Sequence, residues 1–158
     1  MRIVTDANVL ISAVLSNRSS SASKFVFDLI RAGQVQSYTC DALMGEIYRI
    51  LETDPKLKRV DPVYFSEFMT DIRVWLNHVP MKNLEHNQSV LNLVGNDWYI
   101  IAVAKSISAN YIITFDKYLI SQKTTLKEEH DILVVTPEEF EKDYKQSGLH
   151  KLGEGFFV

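Results

Sequence analysis

The sequence predicts an α/β fold in which a mainly parallel sheet is covered on both faces by helices. One observation is a series of short, continuously apolar runs, which are typical of strands buried on both faces. A second is that these runs alternate with longer segments whose apolar residues recur every three or four positions, as in amphipathic helices. Strands and helices in this alternation favour a parallel sheet, because each helix returns the chain to the start of the next strand.

Four strands are predicted, and two of them end at an acidic residue. The strands lie at residues 3–5, 35–39, 111–115 and 132–135. The first is followed by Asp6 and the third by Asp116, so each of these acids stands at the carboxyl end of a buried strand. Residues 79–85 are predicted to be irregular or to form one more short strand.

Helices are predicted wherever apolar residues recur at helical spacing. They cover residues 9–14, 25–30, 41–51, 64–76 and 96–107, with a last helix after residue 136. A polar break at residues 19–23 separates the first two helices, and Gly33 ends the second. The third ends before Pro55, because the residue that precedes a proline avoids the helical region. Thr136 is the predicted N-cap of the last helix, with Pro137 at its first helical position.

Length and composition restrict the class of protein. A chain of 158 residues with 46% apolar side chains is expected to form one domain, over residues 1–143, followed by a tail at 144–158. The net charge of −3 excludes a basic coat for nucleic acid and leaves a local basic rim open. The single cysteine, Cys40, excludes an internal disulfide framework and a cysteine-rich zinc site. No apolar stretch approaches the roughly 18 residues of a membrane span, so a cytoplasmic protein is expected.

Four acidic residues are predicted to meet at one edge of the sheet. Asp6 and Asp116 would face the same crevice if their strands are neighbours, because ligands bind beyond the carboxyl ends of strands where the strand order reverses. Glu46 lies about 60° from Leu43 around its helix, on the shoulder of the apolar stripe. Asp97 lies near the start of the helix predicted at residues 96–107 and is aligned with its apolar stripe.

Each of these acids also has a structural interpretation. A strand-end aspartate can cap a turn or a helix, an acid at a helix start interacts with the helix dipole, and Glu46 can be a tilted surface residue. Together, however, the four acids would repel one another unless a cation neutralises them. Hard divalent cations such as Mg²⁺ bind carboxylate oxygens and can activate a water for in-line attack on a phosphodiester.

At these motifs the chain resembles the PIN-domain family, which includes the VapC-like toxins of bacterial toxin–antitoxin pairs. The matching segments are residues 3–10, 43–47, 97–104, 111–117 and 134–140. Taken in this order and spacing, they extend the resemblance over nearly the whole chain, about residues 1–143.

The resemblance implies a three-layer α/β/α fold and a ribonuclease that depends on Mg²⁺ or Mn²⁺. It implies that four acids form the catalytic metal site, namely Asp6, Glu46, Asp97 and Asp116. Asn8 and Thr114 match polar positions that help to order such a site. Ser12, one helical turn beyond Asn8, is a further candidate for this role. Many relatives carry a second aspartate where this chain has Tyr118, and often an asparagine where it has Trp98. The choice between one and two metal ions therefore stays open.

Basic and aromatic residues near these motifs are candidate contacts to RNA. The basic candidates are Lys56, Lys58, Arg59 and Lys117. Salt-dependent binding would distinguish phosphate contacts from ordinary solvated side chains. Trp98 and Tyr99 can stack on an unpaired base, or they can pack in the core or in a dimer contact.

Two other enzyme classes that use a strand-end aspartate are disfavoured. A phosphatase of the haloacid-dehalogenase type needs a second acid two places after Asp6, where this chain has Asn8. A response-regulator receiver needs an acidic pair that the sequence lacks. The prediction is a metal-dependent endoribonuclease, with RNA as substrate, an antitoxin protein as partner and a homodimer as the assembly. The alternative is a PIN-like module that binds protein or RNA with little or no cleavage.

Overall fold

The strands of the chain form one parallel sheet. The computed structural model describes residues 1–16 and 21–148. Its strands are β1 (Arg2–Thr5), β2 (Gln36–Thr39), β3 (Leu76–His78), β4 (Tyr111–Ile113) and β5 (Val134–Val135). They follow the order β3-β2-β1-β4-β5, and every neighbouring pair is parallel.

Helices connect the strands and flank the sheet. They are α1 (Ala7–Leu15), α2 (Ala22–Arg31), α3 (Asp41–Thr53), α4 (Pro62–Trp75), α5 (Gln88–Val94), α6 (Trp98–Ser106), α7 (Lys117–Ser121), α8 (Lys123–His130) and α9 (Pro137–Gln146). Short 3₁₀ turns lie at Pro55–Arg59, Met81–Asn83 and Gly95–Asp97. The predicted α/β fold, a parallel sheet between layers of helices, is confirmed.

The strand order reverses at β1, which lies between β2 and β4. Thr5 pairs with Ile113, and the backbone N–H of Asp6 donates to the carbonyl oxygen of Ile113 at 3.0 Å. The residues that follow this pair, Asp6 and Thr114, therefore lie side by side at the carboxyl edge of the sheet. The expectation that the strands preceding Asp6 and Asp116 are neighbours is confirmed.

Burial of the central strands explains their continuous apolar sequence. Four side chains of β1 and β4 are fully buried: Ile3, Val4, Ile112 and Ile113. Helix α6 packs over β1, β2 and β4 and buries the side chains of Ile100 and Ile101. Each such aliphatic side chain contributes roughly 1.5–3 kcal/mol on burial, so the acidic edge rests on a fully buried part of the core.

The edge strand β3 is the clearest departure from the prediction. The helix predicted at residues 64–76 ends at Trp75, and Leu76 begins β3. Of this strand, only Leu76 is buried, and one apolar residue fits helical and strand spacing equally well. Residues 79–85 take the irregular alternative and include one 3₁₀ turn.

Short elements account for the other differences. The spacing of apolar residues does not predict α5, α7 or α8, since each buries very few side chains, such as Leu119 in α7 and Leu126 in α8. The helix predicted at 96–107 begins only at Trp98, after the 3₁₀ turn Gly95–Asp97. The predicted strand at 111–115 ends at Ile113, because the chain turns there toward α7.

Helices α2 and α9 both begin at a hydroxyl side-chain cap, and α9 extends past the predicted end of the domain. The polar break at residues 19–23 includes residues that lie outside the described chain, and its Ser21 caps α2. Thr136 caps α9 as predicted. Helix α9 continues past the expected domain end at residue 143, and its Tyr144 is buried. Residues 149–158 of the predicted tail lie outside the described part.

Candidate active site

Asp6 is a buried carboxylate at the end of the central strand, only 5% exposed. Its Oδ1 accepts a hydrogen bond from the backbone N–H of Ala7 at 2.7 Å, so it also caps α1. Its Oδ2 accepts one from the hydroxyl of Thr114 at 2.8 Å. Burial raises the pKa of Asp6 to about 6, and the charges of Glu46 and Asp97 act in the same direction, against the two hydrogen bonds.

Thr114 joins the two strand ends that carry aspartates. Its buried hydroxyl donates to Asp6 and accepts from the backbone N–H of Asp116 at 2.9 Å. One hydroxyl thereby fixes the Asp6 carboxylate and the backbone of Asp116 in relation to each other. The structure places this predicted site-ordering residue between two of the four acids.

Asp116 is half-buried at the start of α7. Its Oδ1 accepts hydrogen bonds from the backbone N–H groups of Tyr118 at 2.8 Å and Leu119 at 3.0 Å. The carboxylate is therefore an N-cap, which was the structural interpretation of a strand-end aspartate. The capping role of Asp116 does not prevent its carboxylate from binding a ligand. Oδ2 takes no part in the cap and can still accept.

Glu46 is half-buried on α3 and is held by a residue that the sequence did not assign to this role. The phenolic hydroxyl of Tyr99 donates to Oε2 of Glu46 at 2.6 Å. Burial, together with this bond and the neighbouring carboxylates, raises the pKa of Tyr99 well above its usual range, so the phenol stays a donor. The two residues are 53 positions apart, and no spacing rule pairs them.

Asp97 lies half-buried in the 3₁₀ turn before α6. Burial raises its pKa, and the charges of Asp116 and then Glu46 raise it further. Within the described chain its side chain caps no helix N–H, unlike those of Asp6 and Asp116. The four acids thus share one electrostatic environment: Asp6 is affected by Glu46 and Asp97, and Asp97 by Glu46 and Asp116.

The donor set suits a hard divalent cation. All four groups are carboxylates, and Mg²⁺ usually takes one or two carboxylates and completes its shell with water and substrate oxygens. Among residues 1–16 and 21–148, no group of three or more acidic, histidine or cysteine side chains is arranged to ligate one ion. Direct ligation by three of these acids at once would therefore need side-chain rotation.

The other predicted site residues are two polar residues on α1 and four basic residues on α7 and on the turn after α3. Asn8 is exposed and Ser12 half-buried on α1, and within the described chain neither donates a hydrogen bond to these carboxylates. Lys117 is exposed at the start of α7, next to Asp116 in the chain. The remaining cations are exposed on the 3₁₀ turn that follows α3: Lys56, Lys58 and Arg59.

Trp98 packs within the protein. Its ring lies against that of His86, with centroids 4.1 Å apart, and meets Tyr99 edge to face at 6.4 Å. Of the two interpretations of this aromatic pair, the structure favours packing for Trp98, whereas Tyr99 contacts Glu46.

Comparison with known proteins agrees with the fold. Residues 2–118 match the family described as the PIN domain, and this segment includes all four acids. No curated protein matches the chain. Among the described helices, none has the length and apolar character needed to cross a bilayer. PIN domains are generally nucleases, and they typically use divalent metal ions. On this match the chain belongs to the PIN-domain family.

Proposed function

We propose that this protein is an endoribonuclease that hydrolyses RNA phosphodiester bonds with the help of Mg²⁺ or Mn²⁺. The observation that supports this most is the gathering of four carboxylates, from four separate segments, at the point where the strand order reverses. Burial and mutual repulsion raise the pKa of Asp6 and of Asp97, which is typical of a site completed by a cation.

Three of the acids would hold the metal ion, directly or through water: Asp6, Asp97 and Asp116. When bound, such an ion stabilises charge on the phosphate and lowers the pKa of a bound water. The hydroxyl of Thr114 keeps the Asp6 carboxylate oriented and connects it to the backbone of Asp116. This connection adds a side-chain link to the backbone pairing that already holds the ends of β1 and β4 together.

Glu46 would orient the water that attacks phosphorus. Its Oε2 is occupied by the hydroxyl of Tyr99, which leaves Oε1 to accept a hydrogen bond from that water. As the water oxygen bonds to phosphorus, one proton of the water passes to Oε1; the bond to the leaving oxygen breaks, and that oxygen takes a proton from solvent. Tyr99 limits the rotation of the carboxylate and so holds this acceptor in one place.

The biological setting is the part of the proposal that rests on the family resemblance. By that resemblance the protein is the toxin of a toxin–antitoxin pair, acts in the cytoplasm as a homodimer and has an antitoxin protein as its partner. RNA would reach the acidic edge past Lys117, with Lys56, Lys58 and Arg59 as further phosphate contacts.

A non-cleaving PIN-like module that binds protein or RNA is the second candidate. The observation that favours it is Tyr118, which stands where many relatives carry an additional aspartate. Its hydroxyl donates to the carbonyl oxygen of Leu93 at 2.8 Å, so the side chain at this position is a hydrogen-bond donor rather than a metal ligand.

Cleavage of a mixed pool of structured RNAs distinguishes the two candidates. The purified protein is incubated with Mn²⁺, with Mg²⁺ and with EDTA, beside Asp6→Asn and Asp61→Asn prepared identically. Asp61 is a matched control, because its carboxylate is the N-cap of α4 as that of Asp6 is the N-cap of α1, and it lies outside the four acids. We expect metal-dependent cleavage that is lost in Asp6→Asn and kept in Asp61→Asn.

Two results would contradict the proposal. Cleavage that persists in EDTA or in Asp6→Asn would indicate a contaminating or unrelated nuclease. Absence of cleavage by a folded protein free of any bound inhibitor, in all three conditions, would favour the binding module.

A further inference from the structure

A cavity of about 260 Å³ lies where α6 and α8 end, and we call it the α6–α8 cavity. Its lining includes Lys105 and Ser108 from the end of α6, and His130, Asp131 and Ile132 from the end of α8. Each of these helices ends shortly before a strand begins, β4 after α6 and β5 after α8. The cavity therefore lies at the amino edge of the sheet, opposite to the carboxyl edge that carries the four acids.

The backbone beside this cavity is strained at two places. In the part of the chain that the structure describes, two residues other than glycine have a positive φ, namely Ser108 at 51° and Asp131 at 54°. Both line the α6–α8 cavity. Left-handed backbone at residues with a side chain is unfavourable and occurs preferentially around ligand sites.

These left-handed turns also satisfy carbonyl groups at the two helix ends. The backbone N–H of Ala109 donates to the carbonyl oxygen of Ala104 at 2.9 Å. The backbone N–H of Ile132 donates to that of Leu126 at 3.1 Å. Unpaired carbonyl oxygens at a helix end would repel an anion, and these bonds reduce their number.

Lys105 and His130 contact each other in the lining of the cavity. Nζ of Lys105 lies 3.3 Å from Nδ1 of His130. An ammonium group can only donate, so Nδ1 is the acceptor and the ring carries its proton on Nε2. This Nε2 is buried and has no hydrogen-bond partner among the described residues. A buried N–H without an acceptor is unfavourable, so the group is suited to a ligand that supplies one.

The positive charge of Lys105 is not balanced by a neighbouring acid. Among the described residues, no carboxylate forms an ion pair with its Nζ. Asp131 lines the cavity, but its Oδ1 accepts from Lys127 at 2.6 Å. Glu85 lines a neighbouring cavity together with Lys105 and does not pair with it. The α6–α8 cavity thus combines an unbalanced cation with an N–H that lacks an acceptor.

We propose that the α6–α8 cavity binds a phosphate group. Its oxygens accept from Nζ of Lys105 and from Nε2–H of His130, with the hydroxyl of Ser108 as a further donor. A phosphate presents acceptor oxygens in several directions and so suits donors that come from two different helices, whereas a carboxylate has only two oxygens. The group belongs either to the free ion or to a small phosphate ester such as a nucleotide. This site does not depend on the proposed function, because it lies at the other edge of the sheet.

Isothermal titration calorimetry of the full chain in EDTA, at constant ionic strength, tests the site. The probes are inorganic phosphate, adenosine monophosphate and acetate. Lys105→Met removes the charge and keeps the aliphatic stem. His130→Asn keeps an acceptor for Lys105 and removes Nε2, whereas His130→Gln keeps an amide near the position of Nε2. Lys145→Met is the matched control, because Lys145 also lies in the last turn of a helix but pairs with Glu141.

We expect phosphate to bind the unchanged protein and Lys145→Met equally well. Lys105→Met and His130→Asn should each bind it roughly 10- to 100-fold more weakly, as for the loss of a charge-assisted hydrogen bond. His130→Gln should recover part of the affinity, and acetate should bind more weakly than phosphate. Tighter binding of adenosine monophosphate than of phosphate identifies a nucleotide as the source, and equal or weaker binding identifies the free ion.

Thermal melting shows whether each variant is folded, and the two loss variants come from different helices, so each tests the site independently. The site would be refuted if the unchanged protein bound neither phosphate nor the nucleotide. It would also be refuted if folded Lys105→Met and His130→Asn bound phosphate as the unchanged protein does, or if acetate bound as tightly as phosphate. None of these titrations involves metal or RNA, so a failure of the cleavage experiment leaves this inference intact.

Discussion

The hydroxyl of Thr114 donates a 2.8 Å hydrogen bond to Oδ2 of Asp6, a residue 108 positions earlier in the chain. Hydrogen bonds to charged groups contribute about 1.5–3 kcal/mol, and a buried carboxylate that loses its donor is strongly disfavoured. We therefore expect Thr114→Val to lower the free energy of unfolding by about 1.5–3 kcal/mol in urea titrations at neutral pH. Thr114→Ser keeps the hydroxyl and should retain most of the stability. A loss of stability in Thr114→Ser with none in Thr114→Val would show that the methyl group, and not the hydroxyl, is what matters.

Asp6→Asn should stabilise the metal-free protein at high pH. The pKa of Asp6 is raised from 3.8 to about 6, so the ionised form destabilises the fold above about pH 6, by about 3 kcal/mol. That penalty disappears as the pH falls from about 6 to about 4, because the folded protein binds a proton before the unfolded chain does. Asparagine can still accept from Ala7 and can donate to Thr114.

The measurement is urea unfolding of both proteins in EDTA at about pH 8 and about pH 4.5. We expect an advantage of about 1–3 kcal/mol for Asp6→Asn at the higher pH and a much smaller one at the lower pH. Asp61→Asn, which replaces an exposed capping aspartate, should show no gain at either pH. A loss of stability in Asp6→Asn that is the same at both pH values would contradict the raised pKa.

Mg²⁺ or Mn²⁺ should raise the melting temperature of the protein, since a ligand that binds only the folded state stabilises it. At about 100 times the dissociation constant the gain is about 2.7 kcal/mol, or roughly 5–10 °C for a domain of this size. Asp97→Asn and Asp116→Asn should each reduce this gain, and EDTA should abolish it. The idea of a shared metal site fails if the ion raises the melting temperature of both variants as much as that of the unchanged protein.

Tyr99→Phe should lower kcat with little change in KM, because it releases Glu46 without touching the substrate. A reduction of roughly three- to thirtyfold is expected for a group that positions a catalytic residue. Tyr144→Phe is the matched control, as its hydroxyl donates to Gln34, where the C-terminal helix packs. In a Glu46→Gln background, Tyr99→Phe should have no further effect on kcat, and an undiminished effect there would refute action through Glu46.

Ser108→Gly should stabilise the protein. Ser108 has a φ of 51°, in the left-handed region that favours glycine, just after α6. Removing its Cβ relieves about 1–2 kcal/mol of strain and increases the entropy of the unfolded chain, for a net gain of about 0.5–1 kcal/mol. Ser66→Gly, the same substitution on the exposed face of α4, should lower stability by about 0.5 kcal/mol. Thermal or urea unfolding of both variants decides whether the two changes have opposite signs.

The elements that the sequence predicts best are those buried on both faces. Continuous apolar runs identify β1 and β4, and the strand-end rule correctly brings Asp6 next to the segment that carries Asp116. The strand β3 and the helices α5, α7 and α8 are not recognised, because each buries too few side chains to show a period.

Contacts between distant segments are where prediction from the sequence stops. The angle of Glu46 on its helix predicts an inward tilt, and the structure shows a half-buried carboxylate. Its partner Tyr99 comes from another helix, and only the packing of α3 against α6 brings the two together. The same holds for Tyr118 and Leu93, which are joined by the approach of α7 to α5. The catalytic role of the four acids stays a prediction until cleavage is measured.

The pairing of β1 with β4 also determines when the acidic edge can exist during synthesis of the chain. A nascent polypeptide that has emerged only as far as α3 already contains Asp6 and Glu46, yet it lacks the strand that supplies Thr114 and leads to Asp116. Closing a loop of this length is entropically expensive and is repaid only when the core packs around it. A ribosome-bound fragment that ends at α3 therefore lacks Asp97, Thr114 and Asp116, and the acidic edge forms only after β4 has emerged and paired with β1.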